Sequence, residues 1–265
     1  MPHVNRDGVN VYYEKYGSGT PLVFLHPFST NGYIWYFQTF AFARDYQCIT
    51  VDHRGHGRSD KPESGYAIEE MAADVVAILD ATGNEKAVLV GNSIGGMIAM
   101  QFNLDFPDRV LGTAIVSSGT NLGAGMPPEA MQAFQQDLSG AFGGLMEGAV
   151  SAKTKQDKPE ILDLVKANFS VKDNFTEQVF FANATDPSGV FNWNITDQLK
   201  DIRKPTIIFA GAEDQATPVE ANQFLADNIP NAQIKIIQDV GHFYQLEKPA
   251  DFNNDLAQFL KQVTA

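Results

Sequence analysis

Short runs that are apolar at nearly every position recur along the chain: PLVFL (21–25), QCITV (47–51), KAVLVG (86–91), RVLGTAIV (109–116) and KPTIIFAG (204–211). Stretches of helical spacing separate them. In AIEEMAADVVAILDATG (67–83), Met71, Val75, Ile78 and Leu79 recur at helical intervals and Gly83 marks the end. A helix from Ile94 to about Asp105 must stop before Pro107, because proline disfavours helical conformation in the residue before it. The aromatic-rich YIWYFQTFAFAR (33–44) also reads as a helix. Buried strands alternating with helices predict parallel strands joined by crossover helices, an α/β fold. Two departures frame that core. The opening residues read as a hairpin with RDG at its turn. From about Asn121 to Lys200 no strand pattern is evident, only helical pieces broken by GAGMPP, KQDKP and TDPSG. The expected organisation is a core of residues 1–120 and 201–265 with a helical cap, 121–200, inserted into it.

One junction carries a chemical pattern. In VLVGNSIGGM (88–97) an apolar strand runs through Gly91-Asn92-Ser93-Ile94-Gly95 into a helix. This is G-x-S-x-G in the strand–turn–helix setting that the motif needs: small flanking residues let strand and helix approach, and the serine is forced to the tip of a sharp turn. A helix-capping serine is the plainer reading of the same residues. A serine hydroxyl becomes a nucleophile at neutral pH when a base takes its proton, and histidine is the usual base. Of the five histidines, His242 follows the last strand in DVGHFYQ, where a parallel sheet brings it to the serine's edge. His3 is terminal, and His53 and His56 sit in DHRGHGRS, where structural hydrogen bonding is expected. An acid must fix the tautomer of the base, and Asp214 follows the strand TIIFAG, with Glu213 as its competitor.

Composition narrows the partner. With 19 Lys and Arg against 32 Asp and Glu, the formal charge of −13 argues against a nucleic-acid surface, which requires clustered cations. No window approaches the roughly eighteen apolar residues of a membrane span, and the N-terminus lacks a basic segment followed by an apolar run, so a soluble, cytoplasmic chain is expected. The single cysteine, Cys48, lies in an apolar run and reads as a buried, inert thiol. His53 and His56 have no further ligands at metal spacing, so neither a metal nor another cofactor is expected.

The chain order Ser93, Asp214, His242, together with FLHPF, VDHRGHGRSDKP, GNSIGG and GHFYQLEKPADF, resembles the α/β-hydrolase family over nearly the whole sequence. The resemblance implies a mostly parallel eight-stranded sheet flanked by helices, with the cap inserted. It also implies a Ser93–His242–Asp214 triad, with an oxyanion hole formed by the N–H groups of Phe28 and Ile94. Pro27 departs from the family's usual glycine after His26, and proline has no N–H to give. The donor in that form of the loop is the following residue, Phe28, and His26 is assigned to supporting the loop.

Trp35, Phe134, Phe142, Phe181, Trp193 and Phe243 are candidates for an apolar substrate pocket. The six arginines, at 6, 44, 54, 58, 109 and 203, all fall outside the cap. Meta-cleavage product hydrolases, which the chain also resembles, hold a substrate carboxylate with a lid arginine. Lys153, Lys155, Lys158 or Lys166 of the cap is the candidate substitute, although such a charge run reads more readily as a solvated face. The reading is a serine hydrolase of a small to medium, uncharged ester or lactone. Hydrolysis of a C–C bond and a hydrolase-fold ligand receptor are the alternatives, and oligomeric state is not legible.

Overall fold

The computed structural model describes residues 2–121, 132, 136–170, 177–185 and 187–264. Eight strands form one sheet: β1 (His3–Arg6), β2 (Val9–Tyr16), β3 (Pro21–Leu25), β4 (Gln47–Val51), β5 (Ala87–Asn92), β6 (Val110–Val116), β7 (Thr206–Gly211) and β8 (Ala232–Ile237). Their order across the sheet is β1-β2-β4-β3-β5-β6-β7-β8. The pairs β1–β2 and β2–β4 are antiparallel and the remaining pairs are parallel. The expected opening hairpin forms with Asp7 at φ 52° and Gly8 at φ 88°, the pair of left-handed residues that suits the twist of a two-residue turn.

Continuous apolar runs are explained by burial on both sides of the sheet. Val23 and Leu25 of β3, with Ala87 and Leu89 of β5, face one apolar cluster, which α2 (Ile68–Ala81) and α3 (Ile94–Asp105) complete. Leu22, Phe24, Val88 and Val90 face a second cluster built on Trp35 and on Phe252, Leu256 and Phe259 of the C-terminal helix (Pro249–Val263). The helix expected over 33–44 is shorter. A 3-10 turn covers Gly32–Trp35 and α1 covers Tyr36–Phe42. The Asn31 side chain accepts the Tyr33 N–H and the Asp52 carboxylate accepts the Gly32 N–H, which draws the first turn away from α geometry.

Between β6 and β7 the described residues form helices Leu138–Ala149, Ala152–Asp157, Pro159–Ser170 and Glu177–Thr185, with no strand among them. The direction of the crossovers changes between β3 and β5: β3 leads to β4 on one side, β5 to β6 on the other. Ligands of open α/β sheets bind beyond the carboxyl ends of the strands at such a switch point.

Candidate active site

Ser93 stands where β5 turns into α3, with φ 55° and ψ −118°, a conformation that residues bearing a Cβ rarely adopt. Its surroundings hold it there. A Cβ on Gly91 would lie 2.1 Å from the Gly95 carbonyl oxygen, and one on Gly95 would lie 2.1 Å from that of Leu25, so strand, turn and helix close only with glycine at both places. The Ser93 N–H donates to Val116 O at 3.0 Å, and its carbonyl accepts the Ser118 hydroxyl at 2.8 Å. Ile94 opens α3, so its N–H belongs to a first turn whose amides have no acceptor within the helix.

Asp214 and His242 meet in the loops that follow β7 and β8. His242 Nδ1 donates to Asp214 Oδ2 at 2.8 Å, and both side chains are buried. The Thr217 hydroxyl donates to the same oxygen at 2.7 Å, while the Ala216 and Thr217 N–H groups donate to Oδ1 at 2.8 and 3.0 Å. Burial pushes the Asp214 carboxyl upward, but the adjacent His242 and the Thr217 hydrogen bonds outweigh it and hold the group below its ordinary value. Glu213, the sequence competitor, turns away and accepts the Ala152 N–H at 2.8 Å.

Asn92 joins the two halves of this arrangement. Its Nδ2 donates to Val116 O at 3.0 Å and to the His242 carbonyl at 3.2 Å, and its Oδ1 accepts from Gln245 at 2.9 Å. Sequence reasoning passed over Asn92, although a polar residue at the end of an apolar strand was a signal. It also passed over Thr217, which EDQATP could have disclosed, because an aspartate commonly accepts backbone N–H groups two or three residues on.

Phe28 follows β3, next to β5, which puts it on the same edge of the sheet as Ile94. Pro27 sits within a trans chain and its carbonyl closes the loop, accepting the Thr30 hydroxyl at 2.8 Å and the His26 ring Nδ1–H at 2.7 Å. His26 Nε2 in turn accepts the His53 N–H at 3.0 Å, and His53 Nε2 donates to His26 O at 3.1 Å. Burial lowers all three imidazoles of this cluster: His26 well below its ordinary value, His53 to about 4 and His56 to about 3. Neutral rings engaged with the backbone account for His53 and His56. Among the described residues no three His, Cys, Asp or Glu side chains gather as a metal site. Burial also pushes the Cys48 thiol up to about 12, far from a reactive thiolate.

The pocket candidates divide. Trp35 is fully buried against Phe24 and Phe252 and belongs to the second apolar cluster of the core. Trp193 is also buried, its indole N–H on Gln101 Oε1 at 2.8 Å. Phe243 is buried edge-on to the His242 ring, with centroids 5.1 Å apart. Phe134 and the side chains of Phe142 and Phe181 lie outside the described residues. The ring of Phe28 instead meets Phe180 and Phe191, at 6.5 and 5.7 Å. Lys153 and Lys166 pair with Asp239 and Glu147, and both lysine side chains are exposed. Arg6, Arg54, Arg58 and Arg109 are likewise occupied by carboxylates.

The model of the α/β hydrolase fold family matches residues 20–249. The chain belongs to the α/β-hydrolase family. A solved structure described as Est816, an N-acyl homoserine lactone degrading enzyme, is 63% identical, with a TM-score of 0.94 over 97% of this chain and 100% of that one. The RutD protein of Azorhizobium caulinodans, whose name describes a carbamate hydrolase, is 28% identical over 99% of both chains. 3-Oxoadipate enol-lactonase 2 of Acinetobacter baylyi is 27% identical over 91% of this chain and 88% of its own. No helix among the described residues of this α/β hydrolase is long and apolar enough to cross a membrane.

Proposed function

We propose that this α/β hydrolase is a serine lactonase that opens the ring of N-acyl homoserine lactones. The observation that carries the substrate class is the 63% identity with a lactone-degrading enzyme over that enzyme's full length. The bonded Asp214–His242 pair, tied through Asn92 to the Ser93 turn, supports the chemistry. The compound class also fits the charge of the chain, because it joins an uncharged lactone to an uncharged amide and an apolar acyl chain.

In this reading His242 takes the Ser93 proton as Oγ attacks the lactone carbonyl, and Asp214 stabilises the imidazolium that forms. The N–H groups of Phe28 and Ile94 hold the oxyanion, the second with the positive end of α3 behind it. Collapse breaks the ring C–O bond, and His242 protonates the departing alkoxide. That alcohol stays attached to the acyl group, so a single ester to Ser93 remains. Water, deprotonated by His242, cleaves this ester to release the N-acyl homoserine carboxylate and regenerate Ser93. We assign the described residues within 121–200 as a cap over this edge, with Phe28, Phe180 and Phe191 on the apolar side of the site.

The C–C hydrolase alternative requires a cation for a substrate carboxylate, and Arg6, Arg54, Arg58 and Arg109 are each held by an Asp or Glu side chain of the chain itself. The deciding experiment incubates the protein with a series of acyl homoserine lactones and with a carboxylate-bearing dienone, and reads products by mass spectrometry. Ring-opened acyl homoserine, formed by addition of one water, is expected. Release of a free fatty acid would instead show amide cleavage, and efficient turnover of the dienone would replace the reading with C–C hydrolysis.

A further inference from the structure

Glu247 is a buried carboxylate, 1% exposed, and among the described residues no cation pairs with it. A carboxylate in such a place is tolerated when hydrogen-bond donors surround it. Its Oε1 accepts the N–H groups of Gly241 at 2.9 Å and Phe243 at 3.4 Å, the residues on either side of His242. Its Oε2 accepts the N–H of Ser151 at 3.0 Å, from the segment between two helices of the cap. The intervening His242 N–H donates to the carbonyl of Ala149 in that same segment, at 2.7 Å. Three consecutive amides around the histidine are therefore fixed by Glu247 and by the cap. The approach is close: a Cβ on Gly241 would stand 2.2 Å from the Ala149 oxygen. The neighbouring loop takes part as well, since Glu213, adjacent to Asp214, accepts the Ala152 N–H.

We propose that Glu247 is a positioning residue that sets the His242 backbone by clamping it between its own carboxylate and the cap segment 149–152. The cap thereby controls the geometry of the base as well as covering the site. This rests on the reading of Ser93 and His242 as nucleophile and base. Glu247 acts through His242 and touches no substrate, so its removal should appear in kcat. Glu247→Gln keeps the size of the side chain but turns an amide N–H₂ toward one of the N–H donors, which loosens the clamp. It also removes a negative charge from the neighbourhood of the imidazolium.

The test measures kcat, KM and the pH profile of kcat/KM on one acyl homoserine lactone for Glu247→Gln, with Gly241→Ala as a second variant. Gly241→Ala pushes the cap segment off the histidine loop while leaving both carboxylates in place. For each variant kcat should fall on the order of tenfold to a hundredfold, as small misplacements of catalytic groups do, with KM within about threefold. The acid limb of the Glu247→Gln profile should move to lower pH. Ser93→Ala is assayed alongside. If Ser93→Ala is inactive while both variants keep the parent's kcat and profile, the positioning role is overturned and the catalytic reading stands. If Ser93→Ala retains turnover, the catalytic reading itself has failed. Should Glu247→Gln not fold, Gly241→Ala decides alone, because its effect requires the contact between cap and histidine loop.

Discussion

The Asn92 side chain donates to the main-chain carbonyl of His242 at 3.2 Å, so the strand that delivers the proposed nucleophile is bonded directly to the loop that delivers its base. Asn92 is fully buried, and its amide oxygen is taken by Gln245, three residues beyond His242. Asn92→Ala removes these bonds and strands the Gln245 amide away from water. The expected loss is about 2 kcal/mol of stability, the usual cost of a buried group left unpaired, together with a fall in kcat of roughly tenfold. Urea unfolding and steady-state kinetics on one preparation check both. Loss of stability with undiminished kcat would show that the bond serves folding alone.

Asp214 and Glu213 should respond very differently to amidation. Oδ1 of Asp214 faces two backbone N–H groups, so Asp214→Asn must present its amide oxygen there and its N–H₂ to His242 Nδ1. That choice forces the imidazole proton onto Nε2, where it cannot accept the Ser93 proton. A fall in kcat on the order of ten-thousandfold is expected. Glu213→Gln can still accept the Ala152 N–H through its amide oxygen and should keep kcat within about threefold. Reversed magnitudes in the two variants would reassign the acid.

The backbone at Ser93 supplies a test independent of activity. Glycine in place of alanine ordinarily destabilises a protein by about 0.5–1 kcal/mol, through the greater freedom of its unfolded chain. At φ 55° and ψ −118° the order should invert, because a Cβ there carries strain of about 1–3 kcal/mol that glycine escapes. Ser93→Gly is therefore expected to be more stable than Ser93→Ala by about 1 kcal/mol, with both inactive. Equal or lower stability of the glycine variant in thermal or urea melts would mean that the turn is unstrained.

Stability should fall as pH drops below about 6.5, the ordinary histidine value in an unfolded chain. Burial keeps His26, His53 and His56 neutral in the fold down to lower pH, to about 4 for His53 and about 3 for His56. Between those limits the unfolded chain binds protons that the folded chain refuses, so acid favours unfolding. Each such histidine contributes about 1.4 kcal/mol per pH unit, or on the order of 4 kcal/mol per unit where all three titrate in the unfolded chain alone. The contribution is fully present above about pH 6.5 and is lost progressively below it. Urea titrations at pH 7, 6 and 5 measure the slope, and a flat profile across that interval would contradict neutral burial of the cluster.

Much of this molecule was determined by the sequence alone. Runs such as VLVG specify buried strands because every residue is apolar, and Gly91 and Gly95 specify a tight turn at Ser93 because no Cβ fits there. Both are local constraints, readable wherever they occur. Asp214 and His242 were also legible, since a parallel sheet puts the ends of consecutive strands side by side. What tertiary structure decided are the contacts between residues far apart in the chain. Trp35 and Phe28 are both aromatics near one loop, yet one lies in the core against Phe252 and the other meets Phe180 and Phe191, because only the assembled layers define which direction is inward. Glu247 accepts amides from residues 151, 241 and 243, and Asn92 reaches a carbonyl at 242. Backbone amides and carbonyls are the same in every sequence, so which of them a buried polar side chain will find is set only when the folded chain brings them within hydrogen-bond distance.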